Sequence, residues 1–352
     1  MYRMKKEVSK RRDSNMELLR IVTMLFILIL HADFYFCGTP DKVGITLSPI
    51  SAYLQYLVES VTIIGVNVFV LLSGWYGIKC SLRKILYIVF QTYFFIVLTY
   101  LFAPWLGYES HGFSEDFPKL FLINQTYPFI KQYLLLMILS PVLNYYTRYA
   151  HPSEFRLLLY IFFIYQLAVS WIFCALTDFN GGNSCLSFIG LYLLARYIKM
   201  YSPTFSIKSA KHDALLYCMF TVFSATASYC FASKGIFLWD RFYMYNSPFV
   251  ILPALFFLLF FSKLKVKYSA NINFVAISCL AVYLFQCSPF MSIYGDNIGR
   301  WYREENTFRF VLYVSIMIFM VYFMAVLLDK GRLLIWDAVI YVYERMTRRV
   351  VA

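Results

Sequence analysis

The chain has 352 residues, 61% of them hydrophobic and only 14% charged, with a net charge of +13 and a mean hydropathy of +0.63. A soluble domain carries charge on about a quarter of its residues, so this composition excludes an ordinary soluble enzyme. Cations spread over so apolar a chain serve retention at one membrane face and contact with anionic lipid, not nucleic-acid binding.

A bilayer core needs about 20 largely apolar helical residues, and ten such stretches occur in the chain. In order they are 18–36, 54–76, 85–103, 130–147, 156–176, 183–200, 213–232, 246–262, 271–291 and 308–328. The expected fold class is all-α: a polytopic membrane protein of about ten transmembrane helices, one integral membrane domain over 1–352. With the N-terminus inside, 24 of the 32 Lys and Arg fall on the cytoplasmic side, as the positive-inside rule requires. An even number of spans then leaves the C-terminus cytoplasmic too. The basic start is followed by no small-x-small cleavage site, so the first stretch is expected to remain as a helix.

That first stretch holds two costly residues, Arg20 and His31. Eleven helical residues turn through about 1100°, close to three full circles, so both side chains share a face about 16 Å apart. Glu17, Arg20, Met24, Ile27, His31 and Tyr35 form one stripe from the inner surface towards the outer. Glu17 stands three residues before Arg20, at ion-pair spacing. Arginine binds phosphate through a planar fork, and histidine exchanges a proton near neutral pH. A phosphate-rich carrier at the inner end and a general base at the outer end account for both residues. A snorkelling Arg20 and a histidine bonded to a neighbouring helix are the bland alternatives.

Further along, Asp33 and Glu59 fall near the outer ends of the first two helices, where they meet an acceptor, hold His31 or mark the interface. Asn67 is placed mid-membrane for an interhelical hydrogen bond, and Ser73 with Gly74 suits close helix packing. The outer loop 104–129, with Glu109, His111, Glu115 and Asp116, contains no separate soluble domain. Asn124 opens a formal glycosylation triplet there. Eight cysteines form no C-x-x-C pair, although Cys174 and Cys185 flank one short outer loop. Four scattered histidines give no metal-ligand pattern, so no metal site is expected. Trp239, Tyr243 and Trp301 are outer aromatics able to stack on sugars or to sit in an interface belt. The stretch 333–343, followed by Arg345, Arg348 and Arg349, is too short to span and reads as a helix on the inner surface near 331–347.

The run NMELLR at 15–20, followed by ten residues and His31, resembles the first-helix signature of the membrane-bound acyltransferase 3 family. Four more blocks are similar to that family in order: GVNVFVLLSG at 65–74, QYLLLMILSP at 132–141, GLYLLARY at 190–197 and YNSPF at 245–249. The resemblance implies transfer of an acyl group, usually acetyl from cytoplasmic acetyl-CoA, to a sugar of a cell-surface or secreted polysaccharide precursor on the outer face. It makes His31 the catalytic residue, as general base or as carrier of the acetyl group, and Arg20 a donor contact. It also implies a cell-membrane location, a glycan or lipid-linked saccharide acceptor, and no permanently bound cofactor. Two departures stand out. The family often has Arg-x-x-Arg after the second helix, where this chain reads KCSLRK, leaving Arg83 with Lys79 or Lys84 for donor binding. The block AVYLFQ at 281–286 frequently ends in His in the family and here ends in Gln286. A secondary transporter or glycan exporter using His31 and Arg20 as a proton or anion path is the alternative. No repeat relates the two halves of the chain, which speaks against an inverted-repeat transporter.

Overall fold

Proline and small hydroxyl side chains mark where the helices begin. The computed structural model describes residues 13–102, 127–173, 178–287 and 290–351. Pro49, Pro128, Pro152 and Pro248 each occupy the first turn of a helix, where a missing N–H breaks no bond. Ser184, Ser209, Ser247 and Ser269 each accept from a backbone N–H of the turn that follows, which satisfies donors that hydrocarbon cannot.

The described chain is helical with no strand among the described residues. We number the helices α1 (Ser14–Leu30), α2 (Lys42–Leu47), α3 (Pro49–Thr62), α4 (Gly65–Tyr76), α5 (Leu82–Phe102), α6 (Pro128–Tyr149) and α7 (Pro152–Gln166). There follow α8 (Cys185–Tyr201), α9 (Ala210–Ser233), α10 (Pro248–Lys263), α11 (Ala270–Ala276), α12 (Cys279–Gln286), α13 (Phe290–Glu304) and α14 (Thr307–Val351). Over its described residues, each of the ten apolar stretches falls largely on helix. Among the described residues seven are long and apolar enough to cross a membrane, or eight if the α11–α12 and α13 pair, bent by 78°, is one span. The two stretches outside that number are α6 and α8. At 17 residues, α8 reaches about 25 Å, and α6 is interrupted by polar groups that bond within the protein. Gln132 accepts from the Cys185 N–H at 2.9 Å, and Asn144 donates to the Ile78 carbonyl at 2.8 Å while accepting from the Tyr192 hydroxyl at 2.6 Å.

The core follows small residues. A side chain at Gly74 would collide with the backbone of Tyr192, so α4 lies directly against α8; at Gly65 it would meet Ile27 of α1 at 2.6 Å. Asn67 donates to the Tyr245 carbonyl at 2.8 Å, so its partner is the turn that leads into α10 and not, as expected, another helix. The outer loop residues Glu109, His111, Glu115 and Asp116, the triplet at Asn124, and Cys174 lie outside the described residues. The stretch 333–343 continues α14 without a break, so Thr307–Val351 is a single 45-residue helix about 68 Å long.

One buried polar cluster fastens that long helix. Arg332 and Asp329 are both 0% exposed and pair at 2.6 Å, and Asp329 also accepts from Gln91 of α5 at 3.0 Å. Arg332 donates to the Tyr87 hydroxyl at 2.7 Å and lies over its ring. Lys330 reaches the Phe274 carbonyl at 2.6 Å and the Ser278 hydroxyl at 3.0 Å. Removing one partner of a buried pair strands the other charge at a cost of about 3–5 kcal/mol, whereas removing both is far milder. Asp329→Ala should therefore lower the thermal unfolding midpoint in detergent sharply, and the double variant Asp329→Ala, Arg332→Met should recover most of the loss. A double variant that melts no higher than Asp329→Ala would show that the loss does not come from a stranded Arg332 charge, and midpoints equal to that of the unsubstituted protein in both would show that the pair is dispensable.

Candidate active site

The α-helical geometry of α1 delivers the stripe read from its spacing. Arg20, Met24, Ile27 and His31 all line one cavity of about 360 Å³, together with Phe69 and Ser73 of α4, Phe129 and Tyr133 of α6, and Cys279 and Tyr283 of α12. At His31 the α-helix gives way to a π-helical turn, His31–Tyr35, a distortion common where a helix carries function. Wider winding re-aims the residues that follow. Ala32 and Asp33 turn to a second cavity on the opposite side of the helix.

His31 is held across 255 residues of sequence. Its Nδ1 lies 2.8 Å from Oε1 of Gln286, the last residue of α12. With the amide oriented oxygen-first, Nδ1 carries the ring proton and donates it, which leaves Nε2 with its lone pair. That is the protonation pattern of a general base or a nucleophile. Sequence reasoning missed this partner. The signal was present in the polar end of the apolar block AVYLFQ, but nothing local in that block points to His31.

Arg20 is oriented by the buried Glu17, which it meets at 3.3 Å one turn earlier. Glu17 thus positions the guanidinium, and it does not line the cavity. Ser73 and Tyr133 join their hydroxyls at 3.2 Å on the opposite wall, an arrangement the sequence did not suggest for Tyr133. Lys79, Arg83 and Lys84 do not line the cavity either. Lys84 donates to the Lys79 carbonyl at 2.9 Å, and Arg83 pairs with Glu344 at 3.8 Å, both side chains more than half exposed. Asp33 accepts from Gln55 at 3.3 Å, so the holder of His31 is Gln286 and not a nearby carboxylate. Trp239 and Tyr243 pack edge-on against Phe34, and Trp301 packs on Tyr313. Among the described residues no group of three or more His, Cys, Asp or Glu is placed to hold a metal ion.

A family model described as an acyltransferase domain, that of the acyltransferase 3 family, matches residues 13–329. The chain belongs to the acyltransferase 3 family. No curated protein and no solved structure matches it. The match takes in every helix that lines the cavity, so the transporter alternative gives way to a membrane acyltransferase.

In this acyltransferase the cavity offers a cation at one end, an imidazole at the other, and aromatic walls between them. A net hydrogen bond to a buried group is worth about 1–3 kcal/mol when its loss leaves the partner unsatisfied. Gln286→Leu should thus lower kcat about 10- to 100-fold while leaving the KM for the acyl donor near its starting value. A purely structural role for Gln286 would instead depress the folded yield and leave kcat per folded molecule unchanged, as activity measured alongside a thermal melt will tell.

Proposed function

We propose that this enzyme transfers an acetyl group from cytoplasmic acetyl-CoA to a sugar hydroxyl of a cell-surface or secreted polysaccharide precursor, presented at the outer face of the cell membrane. The observation that carries this reading is the shared cavity of Arg20 and His31. The two are separated by about 16 Å of helix, a span suited to an extended pantetheine arm. Arg20, steadied by Glu17, grips donor phosphate near the inner end, where its fork accepts two oxygens at once. The thioester reaches past Met24 and Ile27 towards His31.

At the outer end the sugar hydroxyl attacks the thioester carbonyl as Nε2 of His31 removes its proton. The new C–O bond forms, the C–S bond breaks, and the proton passes to the departing thiolate to give CoA–SH. Gln286 holds the ring in the tautomer the step requires. The polar pair Ser73 and Tyr133 faces the same space at its Arg20 end, two turns along α4 from the Gly65 that abuts Ile27, and offers hydroxyls to the donor as it enters. Lys79, Arg83 and Lys84 are read as an approach surface that attracts the anionic donor before it enters.

Transfer from labelled acetyl-CoA to cell-surface glycan tests this directly. His31→Ala should reduce transfer by at least about 100-fold, the lower end of general acid–base contributions. Arg20→Ala should raise the donor KM about tenfold or more, as loss of charge-assisted hydrogen bonds predicts, with Arg20→Lys between the two. Unchanged glycan acetylation in both alanine variants sinks the mechanism.

A further inference from the structure

Two connecting segments meet at the wall of the His31 cavity. Asn180, Gly181 and Gly182 form a tight turn ahead of α8 with backbone φ of 44°, 59° and 99°, the left-handed region that glycine enters without strain. The turn lies flat on the segment before α10. A Cβ at Gly182 would fall 2.5 Å from the Asn246 nitrogen and from Tyr245 Cβ, and the Asn246 N–H donates to the Gly181 carbonyl at 3.3 Å. The residues on either side of this contact, Asn183 and Tyr245, both line the cavity.

Their depth follows from α4. Asn67, in its first turn, holds the Tyr245 carbonyl at 2.8 Å, and the same turn carries Gly65 against Ile27, one turn of α1 before His31. Ser73 lies eight residues further along α4, about 12 Å away at the Arg20 end. Asn183 and Tyr245 therefore stand at the His31 end, where the thioester carbonyl arrives. Other amide side chains are spent on the fold: Asn67 on Tyr245, Asn144 on Ile78, Gln132 on Cys185 and Gln286 on His31. Among the described residues the Asn183 carboxamide and the Tyr245 hydroxyl are committed to no such bond.

We propose that the Asn183 carboxamide and the Tyr245 hydroxyl form the oxyanion hole for the acyl carbonyl. When the acceptor hydroxyl adds to the thioester, the carbonyl π electrons move onto oxygen, and Nδ2 of Asn183 and the Tyr245 hydroxyl donate to that anion. The electrons return as the C–S bond breaks, so the same two donors serve both addition and collapse, while the proton passes through His31 to the CoA thiolate. Fixed donors in an apolar pocket act on developing charge with little reorganisation. The Gly182 contact sets the separation of the two donors, and Asn67 sets their height against His31. The inference rests on the acyl-transfer reading above and adds to it the groups that stabilise the transition state.

The test has two readouts on the full-length protein. In membrane vesicles, transfer from labelled acetyl-CoA to the host's own surface glycan gives kcat per folded molecule and the donor KM. Asn183→Ala and Tyr245→Phe should each lower kcat about 100-fold, the lower end for loss of one oxyanion donor, with the donor KM near its starting value. Asn183→Asp, the same shape with only acceptors to offer, should lose at least as much while melting like the unsubstituted protein. The second readout needs no turnover: the infrared carbonyl band of acetyl-CoA, isotopically labelled at the carbonyl carbon and bound at saturation to His31→Ala protein. The band should fall in frequency on binding and return towards its free position when Asn183→Ala or Tyr245→Phe is added, which a merely structural role would not produce. Unchanged kcat in both variants overturns the assignment. So does a loss of rate with an unmoved band, which would put the two side chains on the acceptor hydroxyl. Transfer that survives both His31→Ala and Arg20→Ala refutes the acyl-transfer reading and this assignment with it, whereas transfer that needs His31 but ignores Asn183 and Tyr245 refutes the assignment alone.

Discussion

The hydrogen bond between His31 and Gln286 fixes where α1 and α12 can stand relative to each other, and the cavity is the space they leave between them with α4 and α6. Both groups lie inside apolar helices, where each unsatisfied polar atom is expensive. Pairing them relieves two such debts at once. The bond also forces the imidazole to turn one nitrogen into the protein, so the remaining nitrogen is the only one left for chemistry.

The same logic orders the polar groups elsewhere in the described chain. Asn67 bonds the Tyr245 carbonyl, Tyr217 bonds the Val61 carbonyl, and Tyr294 bonds the Leu28 carbonyl. Each ties a helix to the backbone of another element. Lys263 and Asp213 form a comparable ion pair between α10 and α9. Glycine does the complementary work where backbones must touch, at Gly74 against α8 and Gly65 against α1. Hydrophobic burial does little to separate these arrangements in hydrocarbon, so close packing and polar bonds decide among them.

What the sequence made legible was what depends on local geometry. The apolar runs gave the helices, because length and polarity alone settle whether a segment suits hydrocarbon. Arg20 and His31 could be placed on one face because α-helical winding over eleven residues needs no knowledge of neighbours. Gln286 could not be read as the partner of His31, since that contact depends on how two distant helices pack. The buried pair Asp329 and Arg332 was hidden for a related reason: at an inner membrane edge, Arg332 looks like any other retention signal. The stretch 333–343 suggested a separate surface helix because its apolar run is short, but α14 contains no proline and Gly331 does not take the left-handed backbone of a helix end, so helix propagates through it. Lys79, Arg83 and Lys84 show the opposite limit. Their charge was visible, yet all three are exposed and outside the cavity, Lys84 bonded to the Lys79 carbonyl and Arg83 paired with Glu344.

The anchoring of α14 has a mechanical consequence. The buried ion pair of the helix sits near one end, Asp329 to Arg332, with aromatic and apolar contacts, such as Trp301 on Tyr313, towards the other, while Phe308, Phe319 and Leu334 face outward. Such a clamp fixes the helix's height in the bilayer but leaves its tilt about that point comparatively soft. Helices meet changes in membrane thickness chiefly by tilting, and here tilt alters the gap between α14 and α1 most at the end farthest from the clamp, near Tyr302 and Asp33. The bilayer itself thus becomes a wedge acting on the space between α14 and α1, and the thickness of the host membrane enters the geometry of that space without touching the cavity that holds His31.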